Sequence, residues 1–287
     1  NGIFWSLGDH EFSDTIDFTE KMMKYVGWNE GTLARGGKEV LDEILRVSEI
    51  AAEKTYEIVK KDGRILALGG DHSINLGTIS GVSAALEGDL GLIYFDTHGD
   101  LNTHETTLTG NIHGMHLAAL LGFGNISLQH VFTKETKIKK ENLLHIVGND
   151  FDFDQAELDL VAREKLPRFS MLDLLSFGMA PLFKQIEELQ KKTKHIWVSL
   201  DLDVIDSIYA PGAGMRNNAG LSYREITNIA GFIGKKCNVV GVDVVEYNPL
   251  QDIETKTAEL GIELMAKFLG VPYSWYTTDY MVKNKLK

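Results

Sequence analysis

Apolar residues along this chain occur in two patterns, a helical spacing and short continuous runs. Between residues 38 and 61, Val40, Ile44, Val47 and Ala51 recur at intervals of three and four, which predicts an amphipathic helix. Six short apolar runs also end in polar residues or glycine, and we interpret them as buried strands. These runs are Arg64–Leu68, Leu90–Phe95, Leu143–Val147, His195–Leu200, Val239–Val245 and Tyr273–Thr277.

Helical patterns lie between several of the predicted strands. Pro181–Gln190 and Ser222–Ile233 have helical spacing, and the second segment opens with Ser222 and Glu225 at the spacing of a capping box. Alternating strands and helices are typical of a parallel sheet with helices on both faces. We therefore predict an α/β fold. No repeat or Pro/Ser-rich linker divides the sequence, so we predict one domain over residues 1–287.

The bulk composition excludes several classes of partner. The net charge of −12 argues against nucleic acid, because phosphate binding depends on clustered Lys and Arg. No apolar run reaches the length of a membrane span, so we predict no membrane insertion. The single cysteine, Cys237, cannot form an internal disulfide and is expected to be a small buried residue, which favours a reducing, cytoplasmic setting.

Ionisable residues follow four of the predicted strands. In parallel α/β sheets, ligands bind at the carboxyl ends of the strands, so these side chains are expected to meet at one rim. They are Asp71 and His72, then Asp96, His98 and Asp100, then Asp201 and Asp203, and finally Glu246.

The clustered aspartates indicate a metal site. Asp201 and Asp203 are two residues apart, so on a strand they would share one face with Cα atoms about 6.6 Å apart, too close for joint ionisation without a cation. Four aspartates would be neutralised by two divalent ions. Carboxylate and imidazole ligands without thiolate favour Mn²⁺ over a structural zinc, although nickel, cobalt or iron could also fit. Two ions roughly 3.5 Å apart can lower the pKa of a water held between them.

Simpler interpretations explain parts of this pattern but not all of it. A single Asp-x-Asp sequence means little in an acidic chain. Ile205 and Ser207 break the pattern of a calcium-binding EF-hand loop. The short glycine pairs at residues 69–70 and 212–214 are more typical of tight turns than of phosphate-binding loops. Asp and His residues clustered at three separate strand ends are much harder to explain by a purely structural role.

Three segments resemble the signatures of the ureohydrolase family, which contains arginases, agmatinases and formimidoylglutamases. They are Gly-Gly-Asp-His-Ser at 69–73, Asp-Thr-His-Gly-Asp at 96–100 and Ser-Leu-Asp-Leu-Asp-Val-Ile-Asp at 199–206. The resemblance implies a three-layer α/β/α sandwich. It also implies one ion bound by His72, Asp96, Asp100 and Asp201, and a second bound by Asp96, His98, Asp201 and Asp203. Glu246 matches the family's guanidinium-binding carboxylate.

Residues 101–114 resemble arginases more than agmatinases. In that pattern the α-carboxylate of the substrate is bound by Asn102, Thr109 and Asn111. Asp154 and Glu157 resemble the acids that hold the α-amino group. His113 matches a proton-shuttling histidine, and Asp100 would also take the nucleophile's proton. The resemblance therefore implies hydrolysis of L-arginine to L-ornithine and urea, in a homotrimer or homohexamer with two Mn²⁺ ions per chain.

Departures from the family pattern leave the substrate open. Thr97 stands where alanine is usual, Ser207 replaces a proline, and Met215 and Arg216 stand where a Thr-Pro pair is common. Agmatine or a guanidino acid could therefore be the substrate. Two further alternatives come from other functional classes. The chain could be a one-zinc deacetylase of similar fold, or an inactive paralogue that serves as a binding partner. The sequence is also expected to begin after the family's first strand.

Overall fold

The computed structural model describes residues 3–6 and 38–271 of the protein, which form one seven-stranded sheet covered by helices. The strands are β1 (Ile3–Ser6), β2 (Ile65–Leu68), β3 (Leu90–Asp96), β4 (Leu143–Val147), β5 (Arg168–Phe169), β6 (His195–Asp201) and β7 (Val239–Val245). Their order across the sheet is β1-β2-β7-β6-β3-β4-β5. β1 is antiparallel to β2, and every other neighbouring pair is parallel.

The sheet confirms the predicted mostly parallel α/β architecture. Five of the predicted strands occur within one residue of their expected bounds, whereas the predicted strand Tyr273–Thr277 lies outside the described residues. β1 and β5 were not predicted. β5 has only two residues, too few for any periodicity.

The helices of the described residues lie between the strands in the chain, except the last, which follows β7. They are α1 (Lys38–Lys60), α2 (Asn75–Ala85), α3 (His116–Leu120), α4 (Ile126–Gln129), α5 (Gln155–Glu164), α6 (Met171–Phe177), α7 (Ala180–Lys192), α8 (Tyr223–Lys236) and α9 (Lys256–Phe268). Ser222 and Glu225 form the predicted capping box of α8. Cys237, at the end of that helix, is partly buried, whereas the sequence predicted a buried residue. Within the described part of the chain, no helix combines the length and apolar character needed to cross a membrane.

Side chains that alternate along the strands enter two separate cores. On β3, Ile93 and Phe95 pack in a core shared with α7, α8 and α9. Leu92 and Tyr94 point to the opposite face and pack in a core shared with α1, α2 and α3. Helices therefore cover both faces of the sheet, which confirms the predicted three-layer α/β/α sandwich.

The strand order brings the predicted site residues to one place. β2, β7, β6 and β3 are consecutive in the sheet, and all four run in the same direction. β3, β6 and β7 lie at the centre and are almost completely buried, as expected for continuous apolar strands covered on both sides. Their carboxyl ends, together with the end of β2, form the rim at which the site is built.

Candidate metal centre

The turn after β3 directs three ionisable side chains toward one point. Asp96 is the last residue of β3 and is fully buried, and its Oδ1 accepts a hydrogen bond from the His98 N–H at 2.7 Å. Asp100 has a left-handed backbone with φ of +50°, which reverses the chain. The next N–H, that of Leu101, donates to Glu157 Oε1 at 3.0 Å and anchors the turn.

The end of β6 differs from the prediction. Asp201 is the last strand residue, but Asp203 lies in a 3₁₀ turn over Leu202–Val204 rather than on the strand. The Asp201 carboxylate accepts a hydrogen bond from the Asp203 N–H at 2.8 Å, and this bond starts the turn. Both carboxylates are nevertheless buried in the same cluster.

His72 is oriented by hydrogen bonds on its outer side. Its Nε2 lies 2.8 Å from Ser199 Oγ, which donates its proton to Asp243 Oδ1 at 2.7 Å. Asn75 Nδ2 also donates to this hydroxyl at 2.7 Å. Because the serine proton is committed to Asp243, His72 Nε2 must carry a hydrogen and donate to Ser199. Nδ1 is therefore the ring nitrogen that faces the aspartates.

All six predicted metal ligands lie together. His72 Nδ1 is 2.8 Å from Asp96 Oδ2 and 3.3 Å from Asp201 Oδ2. His98 Nδ1 is 3.0 Å from Asp203 Oδ2 and 3.4 Å from Asp96 Oδ1. The potential ligand atoms fall into three groups of side chains: His72, Asp96 and Asp201; Asp96, His98 and Asp203; and His72, Asp100 and His116. Asp96 and His72 each belong to two groups, so the groups are contiguous.

The electrostatics of the cluster fit divalent cations. Burial and the repulsion of neighbouring carboxylates raise the pKa values of Asp201 and Asp203 above the ordinary range. Burial alone would lower the pKa of His72 and His98, but hydrogen bonds to the aspartates raise both. The carboxylates thus require positive charge close to them. Carboxylate oxygens and imidazole nitrogens without thiolate are donors that can hold divalent metal ions.

Glu246 lies beside this cluster. It follows β7 with a left-handed backbone (φ of +61°), and its Oε1 accepts a hydrogen bond from the His72 N–H at 3.2 Å. A Cβ atom on Gly214 would lie 2.7 Å from Glu246 Oε2, so glycine at that position leaves room for the carboxylate. Burial, followed by repulsion from Asp71, raises the pKa of Glu246 to about 7.

The predicted substrate contacts gather on two linked segments. The Asn102 N–H donates to the Gly114 carbonyl at 3.1 Å, which joins the turn after β3 to the loop that carries Asn111 and His113. Thr109 is exposed on that loop, and its hydroxyl accepts from the Asn111 N–H at 3.2 Å. His113 Nδ1 lies 3.4 Å from Asp71 Oδ2.

Asp154 and Glu157 lie directly behind Asn102. They form the capping box of α5, and Asp154 Oδ2 accepts from Asn102 Nδ2 at 2.8 Å. Glu157 is buried, and its two oxygens accept from the N–H groups of Leu101 and Asp154. The pair therefore connects α5 to the turn that carries the candidate ligands.

Three positions that depart from the family pattern lie around the same rim. The Thr97 hydroxyl donates to the Asp203 carbonyl at 2.8 Å and so ties the ends of β3 and β6 together. Met215 and Arg216 are exposed immediately after Gly214, whose N–H donates to the Glu246 carbonyl at 2.7 Å. These two residues therefore directly follow a backbone contact with Glu246.

Two residues of the cluster were missed in the sequence. Tyr94 and His116 are fully buried against His72, with ring centroids 4.7 and 4.5 Å from its ring. Tyr94 precedes Asp96 by two residues on a strand, so strand periodicity alone would have placed both on one face. His116 follows His113 by three residues in a loop and short helix, and no sequence pattern marked it.

Comparisons with known proteins agree with this site. The model of the Arginase family matches residues 8–270. An arginase of Brevibacillus brevis is 38% identical over 231 residues, which are 80% of this chain and 76% of that protein. An arginase of Bacillus subtilis is 34% identical over 230 residues, again 80% of this chain and 77% of the relative.

Solved structures give the same result. A crystal structure of arginase from Bacillus cereus superposes with a TM-score of 0.77 and 36% identity, and the match covers 82% of this chain and 80% of that one. The family match spans all four strand ends that carry the cluster. The chain belongs to the arginase family.

Proposed function

We propose that this protein is a two-metal hydrolase of guanidino compounds that converts L-arginine to L-ornithine and urea. The observation that carries the proposal is the pair of carboxylate–imidazole groups that share Asp96, with the partly buried Glu246 beside them. An acidic, cation-binding rim of this kind suits a substrate whose reactive group is itself a planar cation.

The proposed metal ligands are those that the sequence predicted. His72, Asp96, Asp100 and Asp201 would hold one ion, and Asp96, His98, Asp201 and Asp203 would hold the other. The donor set favours Mn²⁺, with nickel, cobalt or iron as alternatives. When bound, two such ions lower the pKa of a water molecule and so supply a nucleophile at neutral pH.

The remaining side chains have distinct proposed roles in the reaction. Glu246 would pair with the guanidinium and orient its central carbon toward the metal ligands. Asp100 would take up a proton on its carboxylate and release it to the departing amine. His113, on the loop at the mouth of the site, would exchange protons between the product amine and solvent.

Recognition of the amino-acid end of arginine is proposed for the linked segments beside the cluster. Asn102, Thr109 and Asn111 would donate hydrogen bonds to the α-carboxylate, and Asp154 and Glu157 would attract the α-amino group. The hydrogen bond from Asn102 to Asp154 supports this arrangement, since it places a donor and a carboxylate side by side.

A urea-release assay tests the proposal. We expect the protein incubated with Mn²⁺ to release urea from L-arginine, and Asp201→Asn to lose most of this activity together with bound metal. Asp159→Asn, which changes the same atoms on the exposed face of α5, is the matched control and should behave like wild type. Wild-type rates in Asp201→Asn would contradict the two-metal account.

Agmatine or a guanidino acid is the second candidate substrate. The observation that favours it is the position of Met215 and Arg216 next to Glu246, where they can alter the shape of the entrance. Arginine, agmatine and 4-guanidinobutanoate compared in parallel would decide, because only arginine offers both an α-carboxylate and an α-amino group. Metal content per chain would separate these reactions from one-zinc deacetylation and from an inactive paralogue.

Assembly and location are also part of the proposal. A homotrimer or homohexamer is supported by the exposed apolar side chains Leu172, Leu175 and Phe177 on α6, which a partner subunit could cover. A cytoplasmic location fits a sequence with one cysteine and no internal disulfide. Sedimentation of the purified protein and fractionation of the source cells would test these two points.

A further inference from the structure

The Tyr94 hydroxyl lies among four potential metal-ligand atoms. Tyr94 Oη is 2.8 Å from Asp96 Oδ2 and 2.7 Å from Asp100 Oδ2. The same oxygen is 3.0 Å from His72 Nδ1 and 3.2 Å from His116 Nε2. Tyr94 and His116 are both fully buried, so water does not separate these atoms.

His116 has the orientation of a metal ligand. Its Nδ1 lies 2.5 Å from the His113 carbonyl oxygen, and because a carbonyl can only accept, Nδ1 carries the hydrogen. Nε2 therefore presents its lone pair toward Tyr94 Oη. Histidines that bind metals characteristically donate their other N–H to a carbonyl or carboxylate in this way. His116 also forms one of the three potential metal-binding groups, together with His72 and Asp100.

The hydrogen bonds available to Tyr94 cannot satisfy its neighbours. A phenol has a single proton, whereas Asp96, Asp100 and the His116 Nε2 lone pair all face the hydroxyl as acceptors. Buried acceptors left without a partner are costly. A divalent cation interacts favourably with all of these atoms at once, including the phenol oxygen.

The spacing of the atoms is that of ligands around one ion. In an octahedral site with metal–ligand distances of about 2.1 Å, adjacent ligand atoms lie about 3 Å apart. The four contacts of Tyr94 Oη, from 2.7 to 3.2 Å, all have this length. An oxygen at the centre of such a site would lie much closer to its neighbours. Tyr94 Oη is therefore spaced as one of the ligands.

We propose that Tyr94 and His116 are additional ligands of the ion on the His72 side of the centre. This inference rests on the proposed two-metal function. The ion would then have a phenol oxygen and two imidazoles in its surroundings, whereas the ion on the His98 side has one imidazole. More nitrogen ligands favour ions such as iron, cobalt or nickel over manganese. The two positions therefore differ in metal preference.

Iron binding to the purified protein tests the phenol ligand directly. Iron(III) bound by a tyrosine oxygen absorbs visible light through phenolate-to-metal charge transfer, and the phenol proton passes to the buffer. We expect this band in wild type and in Tyr223→Phe, where the lost hydroxyl donates to Glu263 on the protein surface. We expect Tyr94→Phe to lack it. Absence of the band from wild type, or its persistence in Tyr94→Phe, would overturn the proposal.

Manganese titration supplies a second measurement. Tyr94→Phe keeps the ring that stacks on His72, and His116→Asn keeps an N–H group near the position of Nδ1, so both variants change ligand atoms with little change in volume. By calorimetry, each should weaken one of two Mn²⁺ sites by roughly 10- to 100-fold and leave the other unchanged. If Tyr94→Phe binds Mn²⁺ as tightly as wild type or gains a site, the hydroxyl is not a ligand.

These results are separable from a failure of the proposed function. A protein that binds two ions and shows the iron band, but releases no urea from arginine, would leave the ligand assignment intact and refute the substrate. If wild type releases urea from arginine, and both variants bind Mn²⁺ as tightly as wild type, the proposed function stands and the ligand assignment is refuted.

Discussion

The Glu246 carboxylate accepts a hydrogen bond from the backbone N–H of His72 at 3.2 Å, which links the proposed guanidinium site to a proposed metal ligand. Burial and repulsion from Asp71 raise the pKa of Glu246 to about 7. The carboxyl group is neutral below this value and ionised above it, and only the ionised form attracts a cationic guanidinium. We therefore expect kcat/KM for arginine to fall as the pH drops below about 7.

The matching variant is Glu246→Gln, which removes the charge and keeps the shape. A hydrogen bond to a charged group contributes about 1.5–3 kcal/mol, so kcat/KM should fall roughly 10- to 150-fold near pH 8. The limb of the pH profile attributed to Glu246 should also disappear. Steady-state kinetics against pH would show both effects, with the exposed Glu188→Gln on α7 as the control. A profile with the same limb in Glu246→Gln would assign the titration to another group.

His113 and Asp71 give a second pH-dependent prediction. Burial lowers the pKa of the His113 imidazole, but the hydrogen bond and charge of Asp71 outweigh it and raise the pKa to about 9. In Asp71→Asn, which can still cap the turn at Ser73, we expect the His113 titration to move downward in pH. An NMR titration of the imidazole protons measures the pKa of His113 directly in wild type and in Asp71→Asn. Asp173→Asn, at a capping carboxylate bonded to Ser170, is the control.

The His113–Asp71 pair also stabilises the folded protein, and this stabilisation decreases as the pH rises. Because the folded pKa of His113 lies above its ordinary value, the contribution of the pair is fully present below about pH 6.5 and is lost as the pH rises through about 9. The difference in unfolding free energy between wild type and Asp71→Asn should therefore shrink over this range. A difference that grew with pH would contradict the assignment.

Asn102 is expected to control the choice between arginine and agmatine. Its amide donates to Asp154 at 2.8 Å, and we propose that it also faces the substrate's α-carboxylate. Asn102→Asp would place a negative charge beside Asp154 and beside that carboxylate. The KM for arginine should rise by at least about tenfold, whereas agmatine, which has no carboxylate, should be much less affected. An equal effect on both substrates would mean that Asn102 only supports the loop.

Much of the fold could be predicted because the central strands are buried on both faces. β3, β6 and β7 require continuous apolar runs for this reason, and such runs are visible in the sequence. The strand-end rule then placed the predicted ligands at one rim. The two-residue β5 has no comparable pattern, because it depends on its pairing with β4.

The details of the site depend on contacts that the sequence pattern does not encode. Asp203 leaves the strand because the Asp201 side chain bonds its N–H, so local hydrogen bonding replaces strand pairing. Tyr94 resembles any aromatic core residue within an apolar run. His116 reaches the cluster only through the turn over Ile112–Met115, whose path is fixed by the hydrogen bond from Asn102 to Gly114.

Gly241 on β7 provides a prediction about stability, because it packs directly beneath the fully buried ring of Trp197 on the neighbouring strand β6. A Cβ atom at Gly241 would lie 2.2 Å from Trp197 Cζ3, so the ring would have to move. The Trp197 Nε1–H donates to Asp243, and movement of the ring would also weaken that bond. Gly241→Ala should therefore destabilise the protein by about 1–3 kcal/mol.

Gly231→Ala on α8 is the matched control, since nothing lies within 4 Å of its added Cβ atom. It should be neutral or stabilise the helix by up to about 1 kcal/mol. Urea unfolding should show a clear loss of stability in Gly241→Ala and none in Gly231→Ala, and a Gly241→Ala variant as stable as wild type would contradict the contact with Trp197.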